Sequence, residues 1–273
     1  MTTTHPKTRM VADSNYLARP QLAEFLAASS LHFVVLTEFA SIEAYKGDTL
    51  RSIFPSMAVL QQFPKQVIVL KGSQLTSPLV DSVSNPQLRL IDSDQTAGFP
   101  GFCQALTGPI SDHVKRDLLS KGRLASTHMD RMVRDAEGLA RSLPEVLSIY
   151  DEGELRTLRK QEGLEPLLAR KVMQQVMVLS AVMLKSAQIH RVPSFDELLD
   201  TLVFRESLCI YIWALRTLQG TSPTNPARIR NDMVDSSFAA YATFFDGLLS
   251  ADALPNTIYA TAMNWMSTLK KAK

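Results

Sequence analysis

The stretch Met10-Val-Ala-Asp13-Ser14-Asn15 decides the fold, because a short apolar run ends there in three residues that favour turns. It predicts a first strand that stops at Asp13. A β-branched and aromatic run over 31–37 predicts a second strand, and 66–70 predicts a third. Apolar residues at helical spacing begin at Pro20 and again at Glu38. Strands that alternate with helices predict an α/β fold, a parallel sheet flanked by helices.

Local turn signals divide this first part of the chain. Gly47 and Pro55 are expected to break the helical pattern that begins after the second strand. Positions 88–91 predict a short extended segment, and Gly-Phe-Pro-Gly at 98–101 predicts a turn.

The middle of the chain, 111–220, has the apolar spacing of helices, with predicted breaks near Gly122, Pro144, Gly153 and Pro193. A Gly/Pro/Thr-rich segment at 218–226 predicts a linker. Three further elements are expected after it: a helix over 231–245, a short strand over 247–250 and a final helix over 257–271. The predicted domains are therefore a sheet-containing core, formed by 1–105 and 221–273, and a large all-helical insertion or cap at 106–220.

Composition sets limits on the partners. The chain has 273 residues, 45% of them hydrophobic and 21% charged, which is typical of a globular protein. Its net charge of +2 indicates that a nucleic-acid partner would have to meet a local basic patch. Cys103 and Cys209 lie in apolar surroundings and are expected to be buried, which fits a reducing cytoplasm. The apolar stretch 172–184 is shorter than the ~20 residues that span a bilayer, so it predicts a buried helix and no membrane partner.

Acidic residues follow several of the predicted strands and helix starts. They are Asp13, Glu38, Glu43, Asp232, Asp235 and Asp252. Open parallel sheets bind ligands at the carboxyl ends of their strands, so these acids are expected at one edge of the sheet. Hard cations such as magnesium and manganese bind to carboxylate oxygens and water. The order of the acids along the chain therefore favours a metal site.

Each acid also has an ordinary structural explanation. Asp13 with the two residues that follow it forms a typical Asx turn, and Asp232 and Asp235 near a helix start interact favourably with the helix dipole. The functional interpretation depends on the acids acting together.

At these residues the chain resembles the PIN-domain family, small α/β ribonucleases that place three or four acids around magnesium or manganese. The first motif of that family is an apolar strand that ends in Asp, a small residue, and Asn or Ser, which 10–15 matches. The second motif is a strand followed by a helix that carries Glu a few residues in. Positions 35–44 are similar to it, with Glu43 the better-placed acid and Glu38 an accessory.

The third motif is an Asp-rich helix start, and Asn231-Asp232-Met-Val-Asp235 is similar to it. The fourth is a short apolar strand that ends in Thr or Ser, any residue, and Asp, which Leu249-Ser250-Ala251-Asp252 reproduces. The separation between Asp235 and Asp252 resembles the spacing usual in the family, which ranks Asp235 above Asp232 as a ligand.

The resemblance implies a metal-dependent endoribonuclease that leaves 5′-phosphate and 3′-hydroxyl ends. The implied catalytic and metal-binding residues are Asp13, Glu43, Asp235 and Asp252, with Mg²⁺ or Mn²⁺ as the cofactor. The implied accessory residues are Asn15, Glu38, Asp232 and Ser250. Arg228 and Arg230 precede the Asp232 helix and are expected to contact the phosphates of the RNA substrate.

Family members act as toxins or in defence or RNA processing, so the resemblance leaves room for an inhibitory protein partner and for a homodimer. Two alternatives remain open from the residues alone. One is a non-catalytic module of the same fold that works through its helical insertion in binding or assembly. The other is a structural α/β protein whose acids point apart.

Overall fold

Four parallel strands form the only sheet in the part of the chain that the structure describes, in the order β3-β2-β1-β4. The structure is a computed structural model that describes residues 6–76, 85–160, 164–186, 189, 194–217 and 225–271. The strands are β1 (Thr8–Ala12), β2 (His32–Leu36), β3 (Val67–Val69) and β4 (Gly247–Leu249). Val11, Val34 and Val35 are fully buried, as expected for a parallel sheet covered on both faces. The predicted α/β fold is thereby confirmed.

The chain divides into two units. Unit 1 comprises Met1–Ser73, Gln87–Arg131 and Phe245–Ala251, and contains the sheet. Unit 2 comprises Gln74–Pro86, Met132–Phe244 and Asp252–Lys273, and is helical. These boundaries are not those of the predicted domains. Residues 106–131 group with the sheet, and the helices after residue 225 group with the helical middle of the chain.

The first helices of unit 1 are α1 (Pro20–Ala27), α2 (Glu38–Tyr45) and α3 (Thr49–Met57). Pro20 occupies the first turn of α1, where its missing N–H costs no hydrogen bond. Thr37 starts α2, since its Oγ1 accepts from Ala40 N at 3.2 Å. Gly47, with a φ of 70°, separates α2 from α3 as predicted. Pro55 lies inside α3, so the break expected there was wrong.

Two local predictions failed in the segment after β3, where α4 (Ser73–Thr76), α5 (Pro86–Leu90) and α6 (Ser93–Ala105) form. Most of the segment 88–91, which was expected to be extended, belongs to α5. Of these residues only Ile91 forms an antiparallel bridge, with Leu70. The expected turn at 98–101 lies within α6. Asp92 caps that helix, and Phe99 and Cys103 are buried four residues apart, so capping and burial outweigh the turn signals.

The long helix α7 (Asp112–Leu147) contains both Gly122 and Pro144, so the breaks predicted there were wrong. The next helix begins at Glu152, in agreement with the break predicted near Gly153, and Pro193 lies outside the described residues. Gly122 is a point of close helix packing. A Cβ built at this glycine would lie 2.0 Å from Thr49 Oγ1 and 3.3 Å from the Tyr45 carbonyl oxygen. The glycine lets α7 pack closely against the start of α3. This explains why a glycine occurs here although the helix continues through it.

Unit 2 is built from part of α7 and from the remaining helices. They are α8 (Glu152–Lys160), α9 (Pro166–Ser186), α10 (Phe195–Leu198), α11 (Leu202–Thr217), α12 (Pro226–Ala242) and α13 (Ala253–Lys271). α11 packs against α9, α12 and α13. Trp213 and Trp265 are fully buried in this core, and Cys209 is buried there as predicted. Positions 218–224 of the predicted linker lie outside the described residues.

The helix α9 contains the apolar stretch that was predicted to be buried. Val172, Val176 and Leu184 are buried on one of its faces, whereas Val178 and Val182 are more than half exposed on another. α9 is long and apolar enough to cross a membrane, but the buried core helices of other proteins meet the same criteria of length and composition. The absence of a membrane partner and the cytoplasmic location stay predictions.

Candidate active site

Asp13 lies directly after β1, and its side chain is 1% exposed. Its backbone N–H donates to the Leu249 carbonyl oxygen at 3.0 Å, which continues the pairing of β1 with β4. Its Oδ1 accepts from Asn15 N at 3.2 Å and Oδ2 accepts from Ser250 Oγ at 2.8 Å. The Asx turn expected as the structural explanation is therefore present, and the same carboxylate is held from the end of β4.

Ser14 connects Asp13 to Glu43. The Ser14 hydroxyl donates to Glu43 Oε2, and its Oγ lies 3.2 Å from Asp13 Oδ1. Glu43 reaches this point from the second turn of α2, the helix that follows β2. Because β1 and β2 are adjacent and parallel, their carboxyl ends place the two acids at one edge of the sheet.

Lys46 is part of this site, although the sequence analysis did not single it out. Its Nζ lies 3.0 Å from Glu43 Oε1. Lys46 follows the last residue of α2 with an extended backbone, and its spacing of three residues from Glu43 could have been noted in the sequence. The lysine side chain is half exposed, so this pair adds little to stability. It places an ammonium group beside the carboxylates.

Ser14, Glu43 and Lys46 line a small pocket of about 120 Å³ beside the buried Asp13, which we call the acid pocket. Its lining residues are Ser14, Asn15, Leu17, Ala40, Glu43, Ala44, Lys46 and Ser56. The accessory residue Asn15 is exposed at its rim. Polar groups that converge in a concavity are the usual mark of a binding site.

Glu38, the alternative acid of the second motif, has a different local role. Its Oε1 accepts from Ser73 N at 2.8 Å, just after β3. A Cβ built at Gly72 would lie 2.8 Å from Glu38 Oε2, so the glycine leaves room for the carboxylate. Glu38 thus holds the loop after β3.

The remaining predicted acids belong to unit 2. Asp232 accepts a hydrogen bond of 2.9 Å from Nε1 of the buried Trp213. Asp235 is half-buried in α12, and Asp252 is exposed just before α13. The acids that the structure brings together within one unit are therefore Asp13 and Glu43.

The predicted substrate-binding arginines lie in the first turns of α12. Arg228 is exposed, and Asn225 Oδ1 accepts from its backbone N–H at 3.4 Å. The Arg230 guanidinium donates to Asn231 Oδ1 at 2.6 Å and 3.2 Å. Both arginines lie on the same helix as Asp232 and Asp235.

The chemistry of the acid pair fits a hard divalent cation. Asp13 and Glu43 present carboxylate oxygens to a common hydroxyl, and Mg²⁺ is often held by one or two carboxylates with waters and substrate phosphates. Across the described residues, no group of three or more His, Cys, Asp and Glu side chains is arranged to hold a metal ion. A metal at this pair would need water or substrate for the rest of its ligands.

Comparison with protein-family models, with curated proteins and with solved structures found no match for this chain. Functional inference therefore depends on the geometry of the acid pocket.

Proposed function

We propose that the chain is a PIN-like metal-dependent endoribonuclease whose active site is built on Asp13 and Glu43. The observation that carries this proposal is the Ser14 hydroxyl, which contacts both carboxylates at the carboxyl edge of a parallel sheet. Burial of Asp13 with fixed hydrogen-bond donors keeps its oxygens in one orientation, as a metal ligand requires.

In this proposal Asp13 and Glu43 hold Mg²⁺ or Mn²⁺. The bound ion supplies charge that polarises a phosphodiester and lowers the pKa of water. Ser14 and Ser250 orient the two carboxylates through their hydroxyl groups. The Lys46 ammonium, next to Glu43, is placed to attract the RNA backbone toward the acid pocket. The products are a 5′-phosphate and a 3′-hydroxyl.

Roles for Asp235, Asp252, Arg228 and Arg230 in metal and phosphate binding remain proposals that rest on the family resemblance. A toxin, defence or RNA-processing role, an inhibitory protein partner and a homodimer also stay proposals that accompany the family resemblance.

The test is cleavage of labelled single-stranded RNA in the presence of manganese. We expect wild-type protein to cleave and both Asp13→Asn and Glu43→Gln to lose at least about a hundredfold in rate, since each removes a charged ligand. Asp48→Asn is the matched control, because Asp48 is exposed and makes no capping hydrogen bond. Absence of cleavage by the wild type, or full activity in both variants, contradicts the proposal.

A second candidate is a non-catalytic module that works in binding or assembly through its helical part. It is favoured by the fact that, among the described residues of unit 1, the shared Ser14 hydroxyl joins two predicted acids, Asp13 and Glu43, and not four. Folded protein that binds RNA without cleaving it in manganese would support this candidate over the nuclease.

A further inference from the structure

A larger cavity lies in unit 1 at the carboxyl ends of β2 and β3. It has a volume of about 370 Å³, and its apolar walls are Leu36, Met57, Val69, Phe99 and Phe102. A cavity of about 320 Å³ adjoins it and shares Ser41, Tyr45, Val69, Gln95 and Lys121 with it. We call the two together the aromatic cleft. Its size falls within the range of small-molecule sites, roughly 300–1,000 Å³.

The helix α2 separates the aromatic cleft from the acid pocket. Ser41 and Tyr45, four residues apart, line the cleft. Ala40, Glu43 and Ala44 line the acid pocket. A helix with its side chains is ~10–12 Å across, so the two cavities are about one helix width apart. A short extended ligand could reach both.

Lys121 places a positive charge beside the rings of the cleft. Its Nζ lies 5.9 Å from the centre of the Tyr45 ring and 5.6 Å from that of Phe102. The same ammonium pairs with Asp117 Oδ2 at 3.3 Å, but both side chains are about half exposed and the pair is weak. An incoming anion of higher charge can therefore compete for the lysine.

The polar groups of the cleft suit the edge of a flat heterocycle. Gln95 and Ser41 place an amide and a hydroxyl on its wall. The Gln95 amide nitrogen donates to Asp92 Oδ2 at 2.8 Å and the Ser41 hydroxyl to the Thr37 carbonyl oxygen at 3.4 Å, so the hydroxyl oxygen is placed to accept from a ligand. The Tyr45 hydroxyl is protonated at neutral pH, as any tyrosine is, and burial, followed by the charge of Asp117, raises its pKa further, to about 12. Aromatic walls, hydrogen-bonding groups and one ammonium match a planar ring that carries an anionic group.

We propose that the aromatic cleft binds a nucleobase of the RNA substrate, with the phosphate of the same nucleotide paired to Lys121. The base lies against the rings of Phe99, Phe102 and Tyr45, and the adjoining backbone passes α2 toward the acid pocket. The choice of a nucleotide rests on the proposed nuclease function, whereas the cleft itself is observed independently of it.

Binding of mononucleotides without metal tests the cleft. Calorimetric titrations use AMP, GMP, CMP and UMP, each compared with its nucleoside. Gly98 lines the cleft, and a Cβ built there meets no atom within 4 Å, so Gly98→Leu would fill the cavity from α6. Gly101→Leu is the matched control: its Cβ is equally unobstructed on the same helix, outside the cleft. Both changes replace glycine by a better helix former, so both variants are expected to fold.

We expect Gly98→Leu to weaken the affinity for the tightest-binding mononucleotide at least about tenfold, and Gly101→Leu to leave that affinity within about twofold of the wild-type value. Lys121→Met should weaken nucleotides by roughly threefold to tenfold and leave nucleosides unchanged, because it removes the charge that pairs with phosphate. Lys115→Met, an exposed lysine on the same helix, is its control.

The outcomes separate this inference from the nuclease proposal. If the wild type binds mononucleotides and Gly98→Leu does not, nucleotide binding in the aromatic cleft is supported, even if the protein cleaves no RNA and the nuclease proposal fails. RNA cleavage without mononucleotide binding at millimolar concentration overturns the cleft and leaves the nuclease standing. Equal binding by wild type and Gly98→Leu also overturns the cleft.

Discussion

Ser250 Oγ donates a 2.8 Å hydrogen bond to Asp13 Oδ2, so the residue that follows β4 orients the acid that follows β1. The two residues are 237 positions apart in the chain. Their proximity follows from the direct pairing of β1 with β4, in which Ala12 lies opposite Leu249. The hydrogen bond makes the geometry of the acid pocket depend on both strands.

Ser250→Ala should lower both the rate of cleavage and the stability of the fold. The loss of one donor to a buried carboxylate costs about 1–3 kcal/mol, because Asp13 keeps its contacts with Ser14 and Asn15. We expect kcat to fall about tenfold with little change in KM, since the substrate does not contact Ser250 in this scheme. Ser250→Thr retains the hydroxyl and should restore the rate. Equal kcat values for Ser250→Ala and wild type would contradict the positioning role.

Asp232→Ala should destabilise unit 2 without a direct effect on chemistry. The change leaves the N–H of the buried Trp213 without this acceptor, which costs about 1–3 kcal/mol of unfolding free energy. Urea titrations followed by tryptophan fluorescence measure the loss. Asp232→Asn keeps an acceptor oxygen and should cost less. Reduced manganese affinity in Asp232→Asn, with stability preserved, would instead identify Asp232 as a ligand.

Gly122→Ala should destabilise the protein although alanine favours helices. The added Cβ meets Thr49 Oγ1 at 2.0 Å, and overpacking of this kind costs about 1–3 kcal/mol. Gly138→Ala on the same helix meets no atom within 4 Å and should stabilise by about 0.5–1 kcal/mol. Thermal unfolding of both variants checks the difference. Similar melting temperatures would rule out close packing at Gly122.

Asp92 should make stability depend on pH in the acidic range. A hydrogen bond from the Gln95 backbone N–H, followed by one from its side chain, lowers the pKa of Asp92 below 3.8. A carboxyl group whose pKa is lower in the folded state stabilises the fold above its unfolded pKa, and that stability is lost as pH falls through the folded value. Asp92→Asn keeps the cap but cannot ionise, so it should lack this contribution above about pH 4 and lose less stability than the wild type as the pH falls below about 4. Identical acid unfolding profiles for Asp92→Asn and the wild type would contradict this role of Asp92.

The strands were predictable because each is a β-branched or apolar run. The end of β1 located Asp13, and the helix that follows β2 located Glu43. The helix α6 was not predictable, because the glycines and proline at 98–101 are turn signals when only the neighbouring residues are considered. The burial of Phe99 and Cys103 depends on residues distant in sequence. The hydrogen bond between Trp213 and Asp232 likewise arises from the packing of α11 against α12.

The central position of β1 has a consequence for synthesis. One side of β1 pairs with β2, and the other pairs with β4, which begins at Gly247. At the usual ~5–20 residues per second, roughly 10–50 seconds pass between translation of the two strands. During that time the backbone groups of Met10, Val11 and Ala12 lack their native partners, and an unpaired strand edge can recruit another chain. Aggregation of nascent chains, and their need for chaperones, should therefore depend on how rapidly ribosomes reach the codons for β4.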